Sequence, residues 1–504
     1  MVFPRPDYVD GVVSEDNPIT YIEQLAGLRA ELASARAERD AAQFDRDAAR
    51  ADLELMRVAL EALRAEVDRL KARLDQNSSN SHRPPSTDPP GVPKPPKKKP
   101  TGRKKGGQRG RVGRARVLLP VDEVTQVVPC KPSHCTDCGT ALAGDDTSPE
   151  RHQVTEIPRV APTVIEYQVH ALRCPCGAVT HGRLPEGVTY SAFGPRLQAL
   201  VVMLSAVYRL SKRNIQRLMA DYLSIDLSVG SISKLEASMS QTLEQPVEEA
   251  KLLVREQAVA HADETGWREG KSKAWLWTVV TSVVVVFAVR LSRGAKVAKE
   301  LLGEQFKGLL VTDRWSGYRW VNLAQRQLCW SHLIRDFQKL ADSRGPAIPI
   351  GKALGEQAKL LFHAWHQVRD GTSTRTQFQA EVAQRIRPEV QRLLKEGASM
   401  PEDSDRKGMC EALLAAEPAL WTFVLVEGVE PTNNLAERTV RHGVLWRRTS
   451  FGTQTPAGSR YVERMLTTVA TLRLRKRHVL DYLTAACDAS NRGKPAPSLF
   501  DLAP

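Results

Sequence analysis

Between Tyr21 and Gln76 the chain has no proline and one glycine, Gly27, and its apolar residues recur every seven positions. A segment with one narrow apolar seam cannot close around a core of its own, so it runs as a long helix and buries the seam on another helix. With Leu25 as heptad position a, the a residues are Leu25, Leu32, Arg39, Arg46, Leu53, Leu60, Val67 and Leu74, and the d residues are Leu28, Ala35, Ala42, Ala49, Met56, Leu63 and Leu70. The flanking positions choose the pairing. Glu31, Asp45, Asp52 and Glu66 at g stand five residues before Arg36, Arg50, Arg57 and Lys71 at e, so a parallel in-register dimer sets acid against base. An antiparallel pair would oppose like charges. Arg39 and Arg46 weaken the middle of the seam and favour two strands.

A Pro/Gly-rich stretch follows, with twelve basic residues between His82 and Arg116 against the single acid Asp88, so it supplies +11 of the formal charge of +14. Such a segment cannot bury a core and is expected to be a flexible basic tether. Lys97, Lys98, Lys99, Arg103, Lys104 and Lys105 are its candidate contacts to phosphate. The bland alternative is a solubilising linker. A net positive chain of this kind favours nucleic acid over a membrane surface as partner. The start lacks a basic n-region and apolar core, and Trp275–Val289 is too short for a membrane helix and rich in β-branched residues. The expectations are a cytoplasmic chain and two buried strands in that run. Eight cysteines in such a setting point to metal or incidental thiols before disulfides.

Cys135 and Cys138 form a CxxC followed by Gly139, and Cys174 and Cys176 form a CxC followed by Gly177. Two such turns suit one tetrahedral structural Zn2+, with Cys130, His134 and His181 as alternatives because the second pair is one residue short. Four unliganded thiols are the competing reading. Helical periodicity returns from Gly194 to Gln241, where "SKRNIQRLMADYLSIDLSVGSISKLE" suggests a helix-turn-helix capped near Ser228 or Ser231, with plain helical packing as the alternative.

After Val259 the pattern becomes three strands, a helix and a further strand, the order of a ribonuclease-H-like fold. The first strand is expected to end at Asp263 and Glu264, which alternation sends to opposite faces, and the fourth is expected to deliver Asp313. A fifth strand then runs into the helix of "CWSHLIRDFQKLA". A helical stretch separates it from Glu437, which lies among Arg438, Arg441, Arg447 and Arg448. Three carboxylates converging within a few ångströms would hold two magnesium ions for in-line attack on phosphorus, with no protein nucleophile. Each also has an ordinary reading: Asp263 as a strand-end acid, Asp313 as a turn starter, and Glu437 as part of an Asn434-x-x-Glu437 capping box with an ion pair to Arg441. Arg438, Arg441 and Arg448 fall on one helical stripe that would meet phosphate, and Trp446 with Arg447 would lie against bases.

The blocks "QNSSNSHRPPS", "CTDCGTAL", "RCPCG", "HADETGWR", "VTDRWSGY", "CWSHLIRDF" and "NNLAERTVR" occur in order from about Leu53 to Leu499. Together they resemble bacterial insertion-sequence transposases of the IS66 family. The resemblance implies a DDE transposase with Asp263, Asp313 and Glu437 as its catalytic acids. It also implies a helical insertion before the last acid and Mg2+ as cofactor, with Mn2+ as a substitute. Expected partners are DNA at element ends and target, a homodimer or higher oligomer, and small accessory proteins of the same element, at the bacterial nucleoid. The implied organisation is a disordered N-terminus (1–18), coiled coil (19–76), basic linker (77–117), zinc-binding module (118–190) and helical segment (191–255). A multidomain α/β catalytic region (256–470, insertion about 341–420) and a C-terminal helix and tail (471–504) complete it. The competing function is a non-catalytic DNA-binding regulator or a decayed copy.

Overall fold

The computed structural model describes residues 18–74, 116–343, 345–401 and 406–500. The expected disordered start, and the basic tether with its candidate lysines and arginines up to Arg114, lie outside the described residues. The chain divides into two units, Met1–Pro95 and Pro96–Pro504.

In the first unit one continuous helix, α1 (Pro18–Leu74), covers the heptad segment. Its seam faces outward: Leu53, Met56, Leu60 and Leu63 are all at least half exposed.

Among the described residues, the second unit opens with a region whose strands are β1 (Ala171–Arg173) and β2 (Val179–His181), an antiparallel pair. The alternating sequence before Ala171 does not form strands, and its apolar residues Val154, Ile157, Val164 and Ile165 are exposed. Four helices follow: α2 (Pro195–Ala206), α3 (Lys212–Leu223), α4 (Val229–Thr242) and α5 (Glu244–Arg255). Ser211 caps α3 and Ser228 caps α4, each accepting a hydrogen bond from the backbone N–H three residues on. Val201, Ile215, Met219, Leu227 and Ile232 form the small core that packs α2, α3 and α4.

A mixed α/β region follows. β3 (Val259–Glu269), β4 (Ser272–Val280) and β5 (Val285–Arg290) form an antiparallel meander. After α6 (Ala295–Leu302), β6 (Leu309–Thr312) pairs parallel with β3, and β7 (Arg326–Leu328) pairs parallel with β6. The sheet order is β5-β4-β3-β6-β7. As expected, the apolar run from Trp275 supplies two strands; β4 and β5 are almost wholly buried because helices cover both faces. Among the described residues no helix is long and apolar enough to cross a membrane.

From β7 the chain enters α7 (Trp330–Ala341), then α8 (Ala347–Arg369), α9 (Arg375–Glu381), α10 (Arg387–Ala398), α11 (Lys407–Ala415) and α12 (Thr422–Leu425). These helices have a core of their own around Trp330, Trp365, Phe378, Trp421 and Phe423. The chain returns to the sheet through α13 (Asn434–Ser450), α14 (Pro456–Leu474) and α15 (Val479–Asn491). Gly443 lets α13 lie directly on β4, since a Cβ there would collide with Leu276 Cδ2.

Both sheet edges are closed by side chains. On β5 the N–H groups of Val285, Phe287 and Val289 donate to Thr471 Oγ1 (3.1 Å), Thr467 Oγ1 (2.9 Å) and Glu463 Oε1 (2.8 Å) of α14. Two strand residues advance about 6.6 Å and four helix residues about 6 Å, so the two ladders stay in step. On β7, Gln327 Oε1 accepts from Phe423 N (2.8 Å), and Thr422 Oγ1 donates to the Arg326 carbonyl (2.5 Å).

Candidate active site

The parallel register sets the first two acids. Val259 faces Leu309 and His261 faces Val311, an offset of 50 that also relates Asp263 to Asp313. Each acid lies two residues beyond the last β3–β6 pair. β3 does not end at Asp263, as the sequence suggested; it continues to Glu269 along β4, with Asp263 opposite Thr278. β6 stops at Thr312, and Asp313 leaves the sheet with its Oδ1 accepting the Trp315 N–H (2.9 Å). The β6 side of Asp263 is therefore left open where the neighbouring strand turns away.

The third acid arrives from the other side. Glu437 sits in the first turn of α13, and the expected capping box is not made. Instead Asn433, 1% exposed at the N-cap position, reaches across to β3. Its Nδ2 donates to the Ala262 carbonyl (2.7 Å), and its Oδ1 accepts from His261 Nδ1 (3.2 Å). Its backbone N–H donates to Cys329 Sγ (3.1 Å). The Glu437 carboxylate turns toward His332 Nδ1 (3.5 Å) rather than to Arg441. Sequence reasoning missed His261, Cys329, His332 and Asn433 as site residues. The available signal was their position inside the blocks "HADETGWR", "CWSHLIRDF" and "NNLAERTVR".

Electrostatics tie the acids together. Burial pushes the Asp263 carboxyl well above the usual carboxylate range, and repulsion from Glu264, Asp313 and Glu437 pushes it further. Glu264 points to the other face, where it accepts from Arg293 Nε (2.7 Å) and the Tyr318 hydroxyl (2.6 Å). Burial raises Glu264 too, opposed by those two donors. Arg293 is itself held against the Trp275 and Trp315 rings, 4.8 and 3.9 Å from their centroids. Burial lowers His261 to about 4, so it is neutral at physiological pH. The donor atoms of Asp263, Asp313 and Glu437 do not all lie within 4.8 Å of one another, so the three are spaced more widely than a single-ion cluster.

On the outer side of α13, Arg438, Arg441 and Arg448 are exposed. Trp446 is not available to bases: it is 9% exposed and packs edge-on against Tyr461. Arg447 points inward and donates to Thr265 Oγ1 (3.3 Å) and the Gly266 carbonyl. In the cysteine-rich region both turns form. Gly139 N bonds to the Cys135 carbonyl (3.0 Å) and Gly177 N to the Cys174 carbonyl (2.8 Å), each glycine with positive φ. Hydrogen bonds from Thr140, and one with Cys135, lower the Cys138 thiol to about 7, and the Ala178 backbone and Cys174 lower that of Cys176. The four sulfurs Cys135, Cys138, Cys174 and Cys176 are nevertheless not gathered into one donor set. Among the described residues, the set of three or more donors within 4.8 Å is Cys329, His332 and Glu437.

Comparison with known proteins gives the wider context. Residues 190–461, just over half the chain, match the model described as "Transposase IS66 family". Residues 34–117 match a family of unknown function. The chain is 24% identical over 262 residues to "Uncharacterized protein y4qI" of Sinorhizobium fredii, a match that covers 46% of this chain and 47% of that protein. It thus spans about half the length of that relative. The matched region begins before the helices leading to the sheet and contains all three acids, and on that match the chain belongs to the IS66 family of transposases.

Proposed function

We propose that this transposase-family chain is a DDE enzyme with a ribonuclease-H-like core, in which Asp263, Asp313 and Glu437 hold two divalent cations that cleave element ends and join them to target DNA. The observation that carries this reading is that Asp263 and Asp313 each follow the paired parallel segments of β3 and β6 by two residues, while Glu437 stands in the first turn of a helix anchored to β3 through Asn433. The strand order supports it too, since an antiparallel meander followed by two parallel strands is the arrangement expected of that core.

The donor set fits Mg2+ or Mn2+. A half-buried carboxylate whose proton affinity is raised by its acidic neighbours is relieved when a cation replaces the proton. When bound, the two ions activate the attacking oxygen and stabilise the leaving one. The protein's own work is orientation: the Asn433 bridge fixes where Glu437 projects, and the Glu264–Arg293–Tyr318 network fixes the strand beneath Asp263. Arg438, Arg441 and Arg448 on the exposed face of α13 neutralise DNA phosphates, aided by the tether lysines. The outward seam of α1 and its g–e charges support a parallel dimer. The test is Mg2+-dependent cleavage and strand transfer on labelled element ends, comparing native protein with Asp313→Asn. The variant is expected to lose product by at least a thousandfold, and equal product from both proteins would end the assignment.

A further inference from the structure

We propose that His332 is a direct ligand, through Nδ1, to the cation held by Glu437, so that this half of the site is mixed imidazole–carboxylate rather than all-oxygen. The inference rests on the reading of Glu437 as a cation-holding acid.

Three observations carry it. First, the start of α7 is tied to both neighbouring segments of the site. Cys329 N donates to the Thr312 carbonyl (2.8 Å), next to Asp313, and Trp330 N donates to the Pro431 carbonyl (2.9 Å), just before α13. His332, in the first turn of this helix, thereby lies beside Glu437 and within electrostatic reach of Asp313. Second, His332 Nδ1 is shielded from solvent and has no hydrogen-bond partner. A buried orphan of this kind is uncommon and asks for a partner. Third, that nitrogen lies 3.5 Å from Glu437 Oε1, long for a hydrogen bond. Adjacent donors on an octahedral ion with bonds of about 2.1 Å lie about 3 Å apart, so a shift of about half an ångström would let one cation take both.

The other acid of α7 that acts on His332 is already committed. Asp336, one turn further along α7, accepts from Arg314 (2.7 Å) and Lys339 (3.0 Å). Cys329 completes the cluster differently: its Sγ accepts the Asn433 N–H and lies 4.0 Å from Glu437 Oε1, which makes it a positioning residue. Imidazole is a borderline donor, so His332 should make the site discriminate among divalent metals more than three carboxylates would.

Mn2+ bound to the full-length protein tests this by pulsed EPR, which reads nitrogen coordinated directly to the ion. The native protein should show imidazole nitrogen modulation that changes on 15N-histidine labelling. His332→Ala and His332→Asn should abolish it and weaken Mn2+ about tenfold while leaving Mg2+ affinity within threefold. A native spectrum without nitrogen coupling, or coupling retained in both variants, overturns the assignment of His332. Mn2+ affinity unchanged in both Asp313→Asn and Glu437→Gln would instead remove the cation site itself.

Discussion

Replacing Asn433 by alanine isolates the link that delivers the third acid. The side chain is almost fully enclosed and makes two interactions with β3, one with the His261 ring and one with the Ala262 carbonyl. Truncation strands a ring N–H and a carbonyl in a dry interior, at about 1–3 kcal/mol each, so the expected loss is roughly 2–6 kcal/mol of unfolding free energy. The backbone N–H to Cys329 survives the change, so the damage falls on the tie between β3 and the start of α13. Urea denaturation followed by tryptophan fluorescence measures the stability, and the cleavage assay measures how far Glu437 has moved. Asn433→Asp is the informative companion. It keeps the acceptor for His261 but sets a carboxylate oxygen against the Ala262 carbonyl, and so should be no milder than alanine. A loss below about 0.5 kcal/mol for Asn433→Ala, with cleavage intact, would refute the argument that this bridge holds the site together.

Asp263→Asn should lose cleavage yet raise cation-free stability, because it removes a carboxylate whose folded-state proton affinity is raised by burial and repulsion; calorimetry without divalent ions checks it, and an unchanged or lowered Tm counts against it. His261 works in the acid direction: its folded pKa of about 4 lies below the ordinary 6.5, so the unfolded chain takes up the proton first. Stability should therefore fall as pH drops from about 6.5 to about 4, by about 3 kcal/mol in all, and His261→Gln should flatten that part of the profile. For α1, Leu60→Lys with Leu63→Lys places charge on the a–d seam and should halve the mass seen by sedimentation of the full chain; a native protein already monomeric at micromolar concentration would dispose of the dimer.

Much of this was legible because two periodicities are strong. The seven-residue repeat of α1 and the β-branched run from Trp275 place a helix and two strands to within about three residues at each end, since hydrophobic pattern is the dominant local signal. The acids were legible as strand and helix positions. What failed were details set by distant partners. Nothing local tells β3 to run on past Asp263; that follows from β4 pairing with it as far as Ser272. Nothing local turns Asn433 outward to a strand over 160 positions earlier and away from capping its own helix. Trp446 looked like a contact to bases because it lies among arginines, yet its helical phase points it inward to Tyr461. The cysteine spacing foretold two tight turns, and spacing alone carries no information on how far apart two such turns lie.

The lateral closure of β5 by α14 bears on how such a gene decays. A reading frame interrupted soon after Ser450 would still encode every proposed catalytic acid. Its product would lack Glu463, Thr467 and Thr471, leaving three amide groups of an apolar strand bare. A strand in that condition recruits copies of itself. Shortened alleles should therefore be cleared as insoluble protein, not persist as folded competitors for the ends of intact elements.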